Sequence, residues 1–203
     1  MQKVFDLPKI LLVLFTVVWV ALAVRPTYPF GWYLENIVVF SALLLVVISY
    51  YRFRLSNASY ILIFIFALFH LVGAYYTYSN IPIGDLVSQF FGWQRNHYDR
   101  FVHFLFGLLM SGVVLDLLQN FLPPSKFLKG LLVFSVIFSA GSLYEIGEFL
   151  LGIVLNPEVG MAFLGAQGDI WDTQKDMVMQ GIGAILGLVI FMQSPLKRFV
   201  RGA

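Results

Sequence analysis

Residues 97–118 read HYDRFVHFLFGLLMSGVVLDLL, a polar turn carrying Asp99, Arg100 and His103 that opens into an apolar run ending at Leu118. About 20 mostly apolar residues are what an α-helix needs to cross the hydrocarbon core of a bilayer. Backbone groups find no water there, so such a segment must close its hydrogen bonds internally, as a helix. The same stretch therefore predicts a membrane helix and puts ionisable groups inside it. An Asp, Lys or Arg at the centre of such a helix costs about 2.5–3.5 kcal/mol. Residues retained at that cost need a partner or a task.

Working outward, five more segments approach spanning length: Pro8–Val24, Trp32–Tyr51, Ser59–Tyr78, Phe127–Leu151 and Lys175–Met192. The expected fold is an all-α, polytopic membrane helical bundle of about six transmembrane helices, forming a single integral membrane domain over residues 1–203. Composition supports this, since the 203 residues are 60% hydrophobic and 12% charged, against roughly half and a quarter in soluble domains. The net charge of +2 is too small for a nucleic-acid partner, and the basic residues fall in short clusters between apolar runs, as topogenic charges do. Without cysteine there is no disulfide, thiolate ligand or cysteine nucleophile, so any metal must be held by His, Asp, Glu or backbone oxygens.

Lys3, Lys9, Arg52, Arg54, Lys126, Lys129, Lys197, Arg198 and Arg201 fall at the N-terminus, the second and fourth loops and the C-terminus, whereas Arg25, Arg95, Arg100 and Lys175 fall on the other side. Positive charge is retained on the cytoplasmic face, so both termini are expected to be cytoplasmic. Lys3 and Lys9 before an apolar stretch ending Ala21-Leu22-Ala23 also mimic a cleavable signal peptide, although a retained anchor is the preferred reading. The outer loops are apolar. Residues 81–93 carry Phe90, Phe91 and Trp93, and residues 152–171 carry Val154, Met161, Phe163 and Leu164. They read as segments seated at headgroup depth, or alternatively as a lid over a site. Gly183 and Gly187 form a small-xxx-small pair that predicts close helix packing.

Running this topology forward collects the polar residues in the outer half. Asp99 with His103, Glu145 with Glu148, and Asp172 with Asp176 stand three or four residues apart, so each pair shares one helix face. Asn96 with Asp99 and Asp169 with Asp172 also suit helix N-termini, where the dipole favours acids. Capping does not account for His103 and Asp176, one turn deeper, nor for Glu145 and Glu148 near a helix C-terminus. The candidate catalytic residues are Glu145, Glu148 and Asp176, and the candidate metal ligands are His103, Asp99, Asp172 and His70. His70 could equally be a packing residue, and His97 is expected at the interface. Arg100 and Lys175 read as counter-ions or as contacts for an anionic substrate. Mixed imidazole and carboxylate ligands suit a divalent metal, Zn, Mn, Fe or Mg according to geometry. Neither H-E-x-x-H nor G-x-S-x-G occurs.

The strings Asn96-His97-Tyr98-Asp99-Arg100 through His103-Phe104, Tyr144-Glu145-Ile146-Gly147-Glu148, and Gly168-Asp169-Ile170-Trp171-Asp172-Thr173-Gln174-Lys175-Asp176-Met177 resemble the YjdF-like family of bacterial inner-membrane proteins. That resemblance covers nearly the whole chain and implies a bacterial inner (cytoplasmic) membrane location, without supplying a reaction. Asp99-x-x-x-His103-Phe104 and Asp172-x-x-x-Asp176 before a glycine-rich helix are more distantly similar to VanZ-like proteins, from which the chain departs at Glu148.

The leading expectation is an outward-facing His/carboxylate site, facing the periplasm or exterior, for metal-dependent hydrolysis or transfer on an amphiphilic or lipid-linked substrate. Membrane lipid is the expected partner. The alternatives are a small proton- or cation-coupled transporter and a non-catalytic membrane assembly subunit whose polar cluster only locks its helices.

Overall fold

A computed structural model describes residues 6–118, 121, 125–155 and 166–193. Seven helices form among them: α1 (Leu7–Ala23), α2 (Pro29–Arg52), α3 (Asn57–Tyr76), α4 (Pro82–Phe91), α5 (Tyr98–Leu118), α6 (Lys126–Val154) and α7 (Asp172–Gln193). No strand occurs among the described residues. Helices α2, α3, α5, α6 and α7 are long and apolar enough to cross a bilayer, and α1 is a shorter apolar helix of 17 residues. Their starts follow local chemistry. Pro8, Pro29 and Pro82 occupy first turns, where a missing N–H costs nothing. Ser56 Oγ accepts from the Ser59 amide at 3.1 Å, capping α3.

The stretch read as an outer loop folds as α4. Pro82 opens it, Asp85 lies in its first turn, and Gly92, at φ +69°, closes it in the left-handed conformation that favours glycine. At 10 residues it is too short for a spanning reading. Gly84 and Ser88 are buried, while Ile83, Leu86, Phe90 and Phe91 are exposed, so the helix is amphipathic. Of the other apolar loop, Met161, Phe163 and Leu164 lie outside the described residues, as do Lys3, Lys197, Arg198 and Arg201.

Helices α5 and α7 form the closest pair. A Cβ added at Gly107 would strike the Gln180 carbonyl, and one at Gly183 would strike the Phe104 carbonyl. Ser111, between them, gives its hydroxyl to the Gly107 and Ala184 carbonyls at 2.7 and 3.2 Å. Small residues at this crossing let two backbones touch, as the Gly183/Gly187 spacing predicts. Helix α6 packs on both, burying Val133 and Ile137 with Ala184. On the other side α3 packs on α5 and carries α1 and α2, through Phe15, Trp32, Val39, Leu71 and Ala74. Trp19 of α1 donates to Asn36 of α2 at 2.5 Å, pairing two polar groups that lipid would leave unsatisfied.

The two ends of the bundle differ. At one, Asp6 pairs with Arg54 at 2.7 Å and Lys9 at 3.2 Å and accepts from Tyr50. Asp116, which by sequence stands alone near a helix end, accepts from the Ser56 amide and the Ser59 hydroxyl, both at 2.7 Å. It therefore braces the start of α3. The opposite end holds the remaining membrane acids.

Candidate functional site

The alternating directions of the helices bring the starts of α2, α5 and α7 beside the ends of α3 and α6. Asp99 and Asp172 lie in first turns, and His103 and Asp176 lie one turn deeper. Glu35 and His70 each stand six residues from that end of α2 and α3, about 9 Å along the axis. Glu35, His70, His103, Glu145, Asp172 and Asp176 are all buried.

The outermost layer is an ion-pair clamp. Arg95 Nη1 lies 2.5 Å and Arg100 Nη2 3.0 Å from Asp172 Oδ1. Asp169 Oδ2 receives Arg100 Nη2 and Lys175 Nζ, each at 2.6 Å, and Arg95 Nη1 at 3.4 Å. The Lys175 bond, joined by the Trp171 amide and Arg100, holds the Asp169 carboxyl well below the usual carboxylate range. Asp169 Oδ1 also accepts from the Trp171 amide at 3.1 Å, in the turn just ahead of α7. Arg100 and Lys175 thus both stand in ion pairs. Asn96 fastens the neighbouring pieces: its amide donates to Ile81 O at 3.0 Å and Asp85 Oδ1 at 2.8 Å, and its Oδ1 accepts from the Tyr98 amide at 3.0 Å. Gln167, at φ +51°, exchanges two bonds with the Asn96 backbone, each 2.9 Å.

Beneath the clamp, Asp99, Asp172 and Asp176 each direct an oxygen into one space, with these atoms all within 4.8 Å of one another. Asp176 Oδ1 is buried without a hydrogen-bond partner among the described residues, and Arg100 Nε is 3.9 Å away. His103 Nε2 is 3.1 Å from Glu145 Oε1 and 3.6 Å from Asp99 Oδ1. The Glu145 contact misses hydrogen-bond alignment, so Glu145 Oε1 is also left unpaired. Glu148, half-buried one turn on, lies within electrostatic reach of Glu145, Asp99 and Glu35. These are the places of the residues singled out by sequence. Asp99, Asp172 and Asp176 meet, His103 and Glu145 flank them, and His70 lies outside that group.

His70 belongs to a second cluster. Its Nδ1 is bonded to Tyr78 OH at 2.8 Å, and its Nε2 lies 3.5 Å from Glu35 Oε2. Tyr144 OH is 3.0 and 3.1 Å from the two Glu35 oxygens. The Tyr144 ring meets His103 edge-on, with centroids 5.9 Å apart. Sequence reasoning missed Glu35, although a carboxyl inside the Trp32–Tyr51 segment is the same signal that selected the other acids. It also gave no role to Tyr78, Tyr144 or Arg95, for which only the fold supplies a signal.

The family model described as "Predicted membrane protein (DUF2238)" matches residues 7–195. This chain belongs to the DUF2238 family. It is similar to Inner membrane protein YjdF of Escherichia coli (strain K12), with 33% identity over 172 residues, 83% of this chain and 82% of YjdF. No solved structure matches. With its apolar helices, the DUF2238 chain is an integral, multi-pass inner-membrane protein.

Proposed function

We propose that this protein is a membrane-embedded enzyme that uses a divalent cation, held by Asp99, Asp172 and Asp176, for hydrolysis or transfer on an amphiphilic, lipid-linked substrate. The observation that carries this reading is the convergence of one carboxylate oxygen from each of three residues within 4.8 Å, in a cluster where Asp176 Oδ1 is buried without a hydrogen-bond partner among the described residues. Among the described residues, Asp99, Glu145, Glu148, Asp169, Asp172 and Asp176 at this end have Arg95, Arg100 and Lys175 as their basic ion-pair partners, a surplus of carboxyls that a cation relieves. An all-oxygen donor set favours a hard cation, Mg²⁺ or Mn²⁺, over Zn²⁺. Such a cation supplies Lewis-acid polarisation or a more acidic bound water.

The chain's own residues do the rest. Arg95 and Arg100 both hold Asp172 through its Oδ1, which fixes the carboxylate at the edge of the cluster. Glu145, whose Oε1 is buried without a hydrogen bond beside His103 while its carboxyl is also bonded by Thr173, is the candidate to accept a proton from an attacking water or hydroxyl, with Glu148 one turn on. A site in the first two turns of α5 and α7, within about 6 Å of the helix starts, suits a substrate whose reacting group sits near the headgroups while its tail stays in lipid. The positive charges at the other end of the bundle support an outward-facing site. Transport is the less supported reading, because it needs ionisable groups through the basic half, and Asp116 there is engaged by Ser56 and Ser59.

The test is Mn²⁺ binding to detergent-purified protein, followed by electron paramagnetic resonance and elemental analysis. Wild type is expected to bind, and Asp176→Asn to bind at least about 100-fold more weakly while remaining folded. Wild-type protein that takes up neither Mn²⁺ nor Mg²⁺ at millimolar concentration would overturn the proposal.

A further inference from the structure

Glu35 and His70 take no part in the proposed cation site, yet both are buried, at 5% and 8% exposure, and they come from different helices. Burying an ionisable pair is costly unless its charges and protons are matched. Here the matching is incomplete. Glu35 Oε2 and His70 Nε2 are 3.5 Å apart, just beyond a hydrogen bond, and Nε2 has no other partner among the described residues. The outer flank of the pair is set by Tyr78, whose hydroxyl meets His70 Nδ1 at 2.8 Å. Reaching that position requires left-handed backbone at two consecutive non-glycine residues, Thr77 at φ +59° and Tyr78 at φ +51°. The Tyr78 ring lies in the space a Cβ at Gly73 would need. Disfavoured backbone held by surrounding structure is characteristic of sites with a task. The inner flank is Tyr144, whose hydroxyl bonds Glu35 and comes within reach of Glu148.

We infer that Tyr78, His70, Glu35 and Tyr144 form a proton-carrying branch, in which Glu35 and His70 share one proton that exchanges with the carboxylate site through Tyr144. The hydroxyls make this workable. When Tyr78 donates to His70 Nδ1, the imidazole proton is on Nε2 and faces Glu35. With one more proton, delivered from Glu148 through Tyr144, Nδ1–H donates a hydrogen bond to the Tyr78 oxygen, and the added proton lies between Nε2 and Glu35, on either atom. Tyr144 likewise donates to an ionised Glu35 or accepts from a protonated Glu148. No oxidant or co-reactant is involved, because each step moves one proton between an oxygen and a nitrogen or between two oxygens. The titratable groups facing the pair are Tyr78 beyond α3, Asp99 and His103 on α5, and Tyr144 and Glu148 on α6. The branch rests on the cation-dependent reading only for what the proton is finally used for.

The branch is tested on full-length protein in lipid nanodiscs, without metal. Infrared titration follows the protonated carboxyl of Glu35, identified by its loss in E35Q, and labelled-histidine NMR follows His70. In the wild type the two signals are expected to change together. In E35Q the His70 midpoint should move by about one pH unit or more, and Y78F should shift both signals. After a pH jump, the Glu35 band should relax at least about 10-fold more slowly in Y144F. If E35Q removes no titrating band, or leaves the His70 midpoint where it was, the shared proton is disproved. An unchanged relaxation rate in Y144F disproves the connection to the site. Mn²⁺ binding is scored separately: protein that shows the coupled titration but no Mn²⁺ binding keeps the branch and loses the cation site, and the reverse result does the opposite.

Discussion

Asp169 gathers Lys175, Arg100 and Arg95 on one oxygen just outside the membrane helices, and its acidity follows from them. Because its folded pKa is depressed, the stability it contributes is complete above the ordinary aspartate value of about 4 and fades only as pH falls toward the lowered one. Melting temperatures of wild type and Asp169→Asn should therefore differ by a constant amount from neutral pH down to about pH 5. The difference should shrink only in stronger acid. A difference that closed between pH 7 and pH 5 would mean another group carries the effect. Thr77 gives a second residue-scale test. Left-handed backbone at a β-branched residue costs about 1–2 kcal/mol, so Thr77→Gly should be neutral or stabilising despite losing its 2.8 Å bond from Asn80. Unfolding in detergent measures this, and a loss above about 2 kcal/mol would show that the turn is not strained.

At the scale of elements, the crossing of α5 and α7 sets the distance between Asp99 on one helix and Asp172 and Asp176 on the other. Gly183→Ala pushes a methyl against the Phe104 carbonyl, and overpacking of this kind costs about 1–3 kcal/mol. Gly147→Ala meets nothing within 4 Å and should stabilise by up to about 1 kcal/mol through helix propensity. Denaturant titration in mixed micelles should rank the two in that order. Gly183→Ala should also weaken Mn²⁺ binding where Gly147→Ala does not, since it alone moves the carboxylates apart. Helix α4 shows what a spanning reading leaves out. Its start and stop signals, Pro82 and Gly92, are plain in the sequence, but 10 residues fall below the length that such a reading detects.

For the whole molecule, orientation decides which compartment the acids face. The chain contains no cysteine, so single cysteines report position directly. Asn80→Cys, at the acidic end, should react with a membrane-impermeant maleimide added to intact cells, and Phe121→Cys, at the other end, should react only after lysis. Both positions are exposed. The opposite pattern would turn the site toward the cytoplasm.

The membrane class, the all-helical fold and the identity of most of the polar residues were legible in the sequence, because lipid imposes one requirement on every spanning residue. The backbone must be helical, side chains must be apolar, and each ionisable exception stands out. Asp99, His103, Glu145, Glu148, Asp172 and Asp176 stood out in that way, three or four residues apart. Which of them meet was not legible. Helical spacing relates residues on one helix, whereas the convergence of Asp99 with Asp172 and Asp176 depends on the depth and rotation at which α5 crosses α7. The same holds for Glu35, which is distant in sequence from Tyr144 but touches it, and for Asp116, whose part at the start of α3 comes from the meeting of two helix ends. The sequence by itself determined that this is a membrane bundle with acids gathered toward one end. Only tertiary packing, by bringing separate helix faces together, divided those acids between a three-carboxylate cluster and a His70–Glu35 branch.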